Sequence, residues 1–489
     1  MPCVKPPSCN IFTMMATCIC MSPHCSVKYA ILAPVTQTTK NATAISNAIL
    51  EGPVWRGLLS FFFPIMLGTF FQQLYNTVDA IVVGQFLGKQ ALVAVSGGSS
   101  TYINLLVGFF TGLASGATII ISQFYGAHHE RELHRAIHTA VALSVWGGAV
   151  LTVIGILVTP FAMRMISTPA DILQPSIVYL RIFFAGVLPM LVYNMGSGIL
   201  HAFGDSKSPF IILVIGCIAN IVLDLLCVAL FKWGVAGAAW ATVISQTLCM
   251  VLTINKLAHQ ENRHCQFHIT KMHFALHLLR RMIIVGFPAG VQSSLYTISN
   301  LIIHSNINSF GTDTAAAWAA YGRFDSIFWM TASSFGIAIT IFAGQNYGAR
   351  KFERIKQATK EGLVIMSGTA LLCTALFYAV GRYVFLLFTK DEAVIRHGMH
   401  MLHTLAPFFI AFVPIEVLSG TIRGAGDTFK PMIITMLGIC ALRVVWIFTA
   451  VPIHNTMATV MACYPLTWIV TSIAFFIYYA HGSWLHAQK

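Results

Sequence analysis

The chain has 489 residues, 57% of them hydrophobic and only 9% charged, with a net charge of +13 and a mean hydropathy of +0.75. Soluble proteins carry about 25% charged residues, so a string of water-soluble domains is excluded: too few charges exist to cover so much apolar surface. The composition predicts an all-α polytopic membrane protein whose outer surface is covered by lipid.

In chain order, residues 1–50 stand apart. They hold five of the twelve cysteines (Cys3, Cys9, Cys18, Cys20, Cys25), and their one apolar run, 11–21, is shorter than the roughly 20 residues a spanning helix needs. Cys18, Cys20, His24 and Cys25 lack zinc-finger spacing, so no metal is expected there. A disordered leader is predicted, or a misassigned start with Met14, Met15 or Met21 as the true one. The seven later cysteines lie mostly in apolar stretches and read as small buried hydrophobes.

From residue 51 onward, apolar runs of helical length recur at 55–80, 92–122, 136–160, 175–202, 209–231 and 235–258. A polar stretch follows, then runs at 279–308, 314–344, 358–386, 396–421, 432–452 and 457–480. Their continuity predicts twelve transmembrane helices, since a barrel would show ten-residue alternation. Twenty of the 29 Lys and Arg fall on the side holding both termini and the even loops, six fall in the odd loops, and Arg181, Arg323 and Arg443 lie within spans. Basic residues collect on the cytoplasmic side. Both termini are therefore expected there, and topology accounts for the basic balance without a nucleic-acid partner.

The chain also resembles itself. The sequence Gln123-Phe124-Tyr125-Gly126-Ala127 recurs as Gln345-Asn346-Tyr347-Gly348-Ala349, and Ser197-Gly198, Gly204-Asp205 and Pro209 recur as Ser419-Gly420, Gly426-Asp427 and Pro431, all at an offset of 222. Phe63-Pro64 pairs with Phe287-Pro288 at 224. This predicts an N-lobe over 51–258, a cytoplasmic linker over 259–278 and a C-lobe over 279–489. Six is even, so the lobes share an orientation and their pseudo-symmetry axis runs along the membrane normal. Such duplications place a transport site between halves, near the midplane.

Enzymatic motifs are thin. The run 84–90 ends in Gly-Lys-Gln and lacks the Ser or Thr of a phosphate-binding loop. His129, Glu130 and His134 do not form a zinc-protease motif, because an i, i+5 pair points to different helix faces. His397, His400 and His403 share a helix side, too little alone for a metalloenzyme. Acids within spans carry more weight, because a charge at a helix centre costs about 2.5–3.5 kcal/mol on insertion scales. Twelve of the sixteen acids lie in loops or at ends; Asp79, Asp224, Asp325 and Glu416 do not.

Gln72, Tyr75 and Asp79 form a polar stripe on one face of the first helix, and Asn220 and Asp224 repeat its i, i+4 spacing on the fifth. An amide one turn from a carboxylate can hold it in either protonation state, and burial disfavours the charged form, so such a group can load and release a proton. Asp325 follows Arg323 by two residues, and the two could neutralise each other. Glu416 follows Pro414, which frees a backbone carbonyl, and Arg443 is a natural counter-charge for one of the C-lobe acids. Pro64 lies 15 residues before Asp79. A kink there that responded to Asp79 would be a gate, and a static proline is the equal alternative.

The run from Pro64 through Gln73-Leu74-Tyr75-Asn76-Thr77-Val78-Asp79, the Gln123 motif, Asn220 with Asp224, and Arg423-Gly424-Ala425-Gly426-Asp427 resemble the multidrug and toxic compound extrusion (MATE) transporters, and within them the bacterial DNA-damage-inducible branch. The likeness covers roughly residues 52–480. It implies two six-helix lobes in a V that export organic compounds in exchange for protons or sodium. It further implies a coupling role for Tyr75, Asp79, Asn220, Asp224 and Thr242. Sodium-type relatives carry an acid on helix 7; this chain has none between Glu261 and Asp313, and Glu416 or Asp325 is the substitute in that lobe.

The expected protein is an antiporter of amphipathic, often cationic, molecules. It would be a monomer in a bacterial inner membrane, with a small-molecule substrate, a coupling cation and the bilayer as partners and no other cofactor. The rival within the same superfamily is a lipid or polysaccharide-precursor flippase, whose groove would be rich in Arg and Lys.

Overall fold

A computed structural model describes residues 49–486 except positions 97, 166, 167 and 390. The predicted leader lies outside the described residues. Twelve membrane-length helical elements follow. In the first half they are α1 (Val54–Leu87), α2 (Gly98–Gly126), α3 (Glu130–Met165), α4 (Ala170–Ala185 with Val187–Ala202), α5 (Lys207–Leu230) and α6 (Val235–Ala258). In the second they are α7 (Leu276–Asn308), α8 (Thr312–Gly348), α9 (Phe352–Phe388), α10 (Glu392–Gly424), α11 (Phe429–Ile453) and α12 (Met457–Ala480). Eleven are long and apolar enough to cross a membrane as single helices, and α4 qualifies as a pair bent by 46°. Each predicted run meets one of them.

Four elements are interrupted in ways the apolar runs did not announce. Pro189 has no N–H to offer the Ala185 carbonyl, so α4 breaks at Gly186. Wide π-helical turns occupy Leu225–Leu230 in α5 and Met436–Ala441 in α11. One begins directly after Asp224 and the other ends just before Arg443, in keeping with the frequent use of such turns at functional sites. In α10, a 3₁₀ turn at Ala406–Phe408 separates Glu392–Leu405 from Phe409–Gly424.

The halves meet most closely where side chains vanish. Gly112 and Gly116 of α2 lie against the backbone at Gly290 and Gly286 of α7, leaving no room for a Cβ on either side. Lipid tails give no hydrophobic drive between helices, and small residues let backbones approach and gain dispersion energy instead. Large apolar side chains such as Leu157, Phe161, Val364 and Phe448 stay exposed, as a lipid-facing surface requires.

The repeated Gln motif has a reciprocal structural use. Gln123 Nε2 donates to the Gly424 carbonyl at 2.9 Å, and Gln345 Nε2 donates to the Ala202 carbonyl at 2.8 Å. Each glutamine thus caps the end of a helix in the other half, and 123/345 and 202/424 are both related by 222. Gly126 and Gly348 pack against the backbone of Gln345 and Gln123 respectively, so neither can carry a side chain. Both motif helices end in the same cap, with His128 and Arg350 at φ +55° and +56°. Gly204 and Gly426 (φ +85° and +100°) turn the chain into the next helices, where Asp205 and Asp427 accept the Ser208 and Lys430 backbone N–H at 2.9 and 3.4 Å.

The segment between the halves is held against α3. Its Phe267 N–H returns to the Leu257 carbonyl at 3.1 Å, its His268 N–H donates to His138 Nε2 at 3.2 Å, and the Ala275 N–H donates to Thr139 Oγ1 at 3.1 Å.

Candidate functional site

In the first half, α1 and α5 pack together and bring Asp79 and Asp224 to one place, with their carboxyl groups within hydrogen-bonding reach of each other. Asp224 is fully buried and Asn220 is 1% exposed. Apart from that mutual approach, Asp79 Oδ1, both Asp224 oxygens and both Asn220 amide atoms have no hydrogen-bond partner among the described residues. A base is missing as well: no Lys, Arg or His lies within 4.0 Å of either acid there. Two carboxylates at this separation repel each other unless a proton or a metal cation lies between them.

Tyr75 sits in electrostatic reach of Asp79, as the i, i+4 stripe predicts. Two further polar groups were not singled out in the sequence. Tyr179 of α4 is buried within reach of Asp79, Tyr75 and Asp224, and Gln246 of α6 is buried facing Tyr75. An isolated Tyr or Gln in an apolar run carries no periodicity, so only the packing of α4 and α6 finds them. The Thr242 hydroxyl donates to the Ala238 carbonyl of its own helix at 3.2 Å, which leaves its oxygen as an acceptor.

The C-half candidates do not form one cluster of bonds. Asp325 accepts from Trp329 Nε1 at 2.8 Å and from the Tyr321 hydroxyl at 3.3 Å. Mutual neutralisation with Arg323 is not seen, because Arg323 is exposed and forms no ion pair among the described residues. Glu416 pairs with Arg423 at 3.7 Å. Arg443 forms no ion pair within 4.0 Å with either acid among the described residues, yet it lies in electrostatic reach of Asp325 as a counter-charge. Its Nε donates to Thr467 Oγ1 at 3.3 Å, and its guanidinium carbon lies 4.3 Å from the centre of the Tyr464 ring.

Two cavities open beside these groups. One of about 410 Å³ lies between the halves, lined by Pro64, Gly68 and Gln72 of α1, Asn194 of α4, Ser333 of α8 and Glu416 of α10. Pro64 sits on this wall within an α1 that continues as one helix from Val54 to Leu87. The other, about 930 Å³, lies mainly in the C-half and is lined by Asp325, Glu416, Arg423 and Arg443 among aromatic side chains.

Among the described residues, twelve membrane-length helices in two like halves, with acids in their interior, define a polytopic membrane protein. The family model described as MatE matches residues 64–226 and again 288–449, one copy in each half. The chain belongs to that family. It is 30% identical over 439 residues to the probable multidrug resistance protein YoeA of Bacillus subtilis, covering 87% of this chain and 93% of that one. It is 27% identical over 445 residues to the probable multidrug resistance protein YpnP of the same organism, covering 89% and 96%. Among solved structures, a MOP superfamily transporter from Pyrococcus furiosus, described as having a binding pocket of reverse polarity, superimposes with a TM-score of 0.83 at 22% identity, over 90% of this chain and 98% of that one. A MATE in the bent conformation superimposes with a TM-score of 0.82 at 22% identity over 92% and 98%. These two establish likeness of fold.

Proposed function

We propose that this chain is a secondary active antiporter that exports amphipathic organic compounds, cations among them, in exchange for protons or sodium ions. In this reading it works in a bacterial inner membrane with both termini in the cytoplasm. The observation that carries it is the apposition of half-buried Asp79 and fully buried Asp224 without a basic partner within 4.0 Å among the described residues. A proton or sodium ion taken up between them removes their repulsion, and loss of that ion restores it, so α1 and α5 change their mutual affinity with the state of the site. Each charge moved across 100 mV supplies about 2.3 kcal/mol, enough for roughly fiftyfold accumulation. The names of the Bacillus subtilis relatives support multidrug efflux as the cargo class.

The test is export from inverted vesicles carrying wild type, Asp79→Asn or Asp224→Asn under imposed gradients. Collapsing the proton gradient alone, then the sodium gradient alone, identifies the ion. Undiminished, gradient-driven export by both variants would falsify the coupling role.

A further inference from the structure

The coupling reading leaves the C-half cavity without a task, and its chemistry differs from that of the N-half. Its walls include the rings of Trp318, Tyr321, Trp329 and Tyr464, with Trp318 centred 5.3 Å from Tyr321 and 5.9 Å from Tyr464. Two groups of opposite charge reach it from different helices, Asp325 from α8 and Arg443 from α11. Asp325 has neutral donors on both oxygens.

Arg443 is left short. It is 2% exposed, its Nη2 has no acceptor, and among the described residues no carboxylate lies within 4.0 Å of it. The Tyr464 ring face attracts its charge but accepts no conventional hydrogen bond. The cavity's other acid, Glu416, is occupied with Arg423. A buried guanidinium with an unused donor is costly, and the planar fork matches a carboxylate. An aromatic chamber with a cation receptor at one wall and an anion receptor at another suits a flat molecule bearing both charges.

We infer that the C-half cavity is a substrate site selecting amphipathic aromatic molecules that carry a carboxylate, which Arg443 binds while Asp325 faces the cationic end. The inference rests on the export reading and narrows its substrate class from organic cations to zwitterions.

Two dyes isolate the carboxylate. Rhodamine 110 has a free carboxyl group, and rhodamine 123 is its methyl ester with the same cationic ring system. Binding to purified detergent-solubilised protein, followed by fluorescence polarisation, needs no gradient and so stands apart from the coupling test. Arg443→Gln is expected to weaken rhodamine 110 by about tenfold or more and rhodamine 123 by less than about threefold, with Arg443→Lys between wild type and Arg443→Gln. Asp325→Asn leaves the guanidinium in place and is expected to weaken both dyes alike; it serves as a second arm if Arg443→Gln does not fold.

Absence of rhodamine 110 binding to wild type, equal losses of both dyes in Arg443→Gln, or a loss confined to one dye in Asp325→Asn each overturns the inference. Continued export of rhodamine 123 by Arg443→Gln would show that export itself survives when only the carboxylate site is lost.

Discussion

In the first half two acids from α1 and α5 meet with no base beside them, whereas in the second an acid from α8 and an arginine from α11 share a cavity without touching. Asp224 and Arg443 sit on corresponding helices, α5 and α11, but Asp79 is on α1, whose counterpart is α7, and Asp325 is on α8, whose counterpart is α2; none of the four positions repeats. At the offset of 222, Asp224 faces Trp446 in the repeat, Thr242 faces Tyr464, and Arg443 faces Ile221. By contrast, Gln123 and Gln345, Gly126 and Gly348, and Gly204 and Gly426 hold the same residue in the same role. Likeness persists where backbone meets backbone, because a helix end or a glycine contact tolerates few side chains. Difference gathers at the interior charged positions. The two halves are one scaffold with two charge arrangements, a like-charge pair in the first, where we propose an ion binds, and an opposite-charge pair in the second, where we propose a zwitterion binds.

The largest expected effect separates those chemistries. Asp224→Asn should lower gradient-driven export by about a hundredfold, while rhodamine 110 binding to the purified protein stays within about twofold of wild type, since distant sites contribute independently. If one substitution abolished both, the two halves would form a single site and the contrast would fail.

Smaller effects are expected where the halves agree. Gln345→Ala removes its hydrogen bond to the Ala202 carbonyl, about 1 kcal/mol or roughly a fivefold shift away from the state in which these helix ends touch. Gln123→Ala removes both its bond to the Gly424 carbonyl and the one its Oε1 accepts from Arg281 Nη2 at 3.3 Å. Paired cysteines across this contact, cross-linked with and without each substitution, report that shift. Gln123→Ala should shift the cross-link more than Gln345→Ala; an equal or smaller effect would show that the Arg281 contact adds nothing to the clasp.

The smallest effect is expected at Thr242, whose hydroxyl is satisfied within its own helix. Thr242→Ala should change export by less than about twofold, within the range of substitutions away from a special contact. A loss approaching that of Asp224→Asn would place the hydroxyl on the coupling ion after all.

Much of this was legible in the chain itself. Apolar runs of spanning length reveal themselves singly, because lipid imposes the same demand on every helix, and all twelve were found within a few residues. Asp79 and Asp224 stood out because charge in a span is expensive and therefore rare. Tyr179 and Gln246 did not, since a lone Tyr or Gln in a membrane helix has many ordinary uses. Arg443 was legible as a counter-charge in the C-half, and it lies in electrostatic reach of Asp325; that the two make no ion pair within 4.0 Å depends on where α11 and α8 sit.

The feature met first, 9% charge in a chain of 489 residues, fixes a membrane protein of two like halves with a few interior charges, because hydropathy and repetition are properties of the chain read one segment at a time. Which charges meet, which stay alone and which cavity each one faces belong to the tertiary structure. Those are questions of distance between helices far apart in sequence, and in a low-dielectric interior a few ångströms decide whether two charges neutralise each other or wait for a ligand.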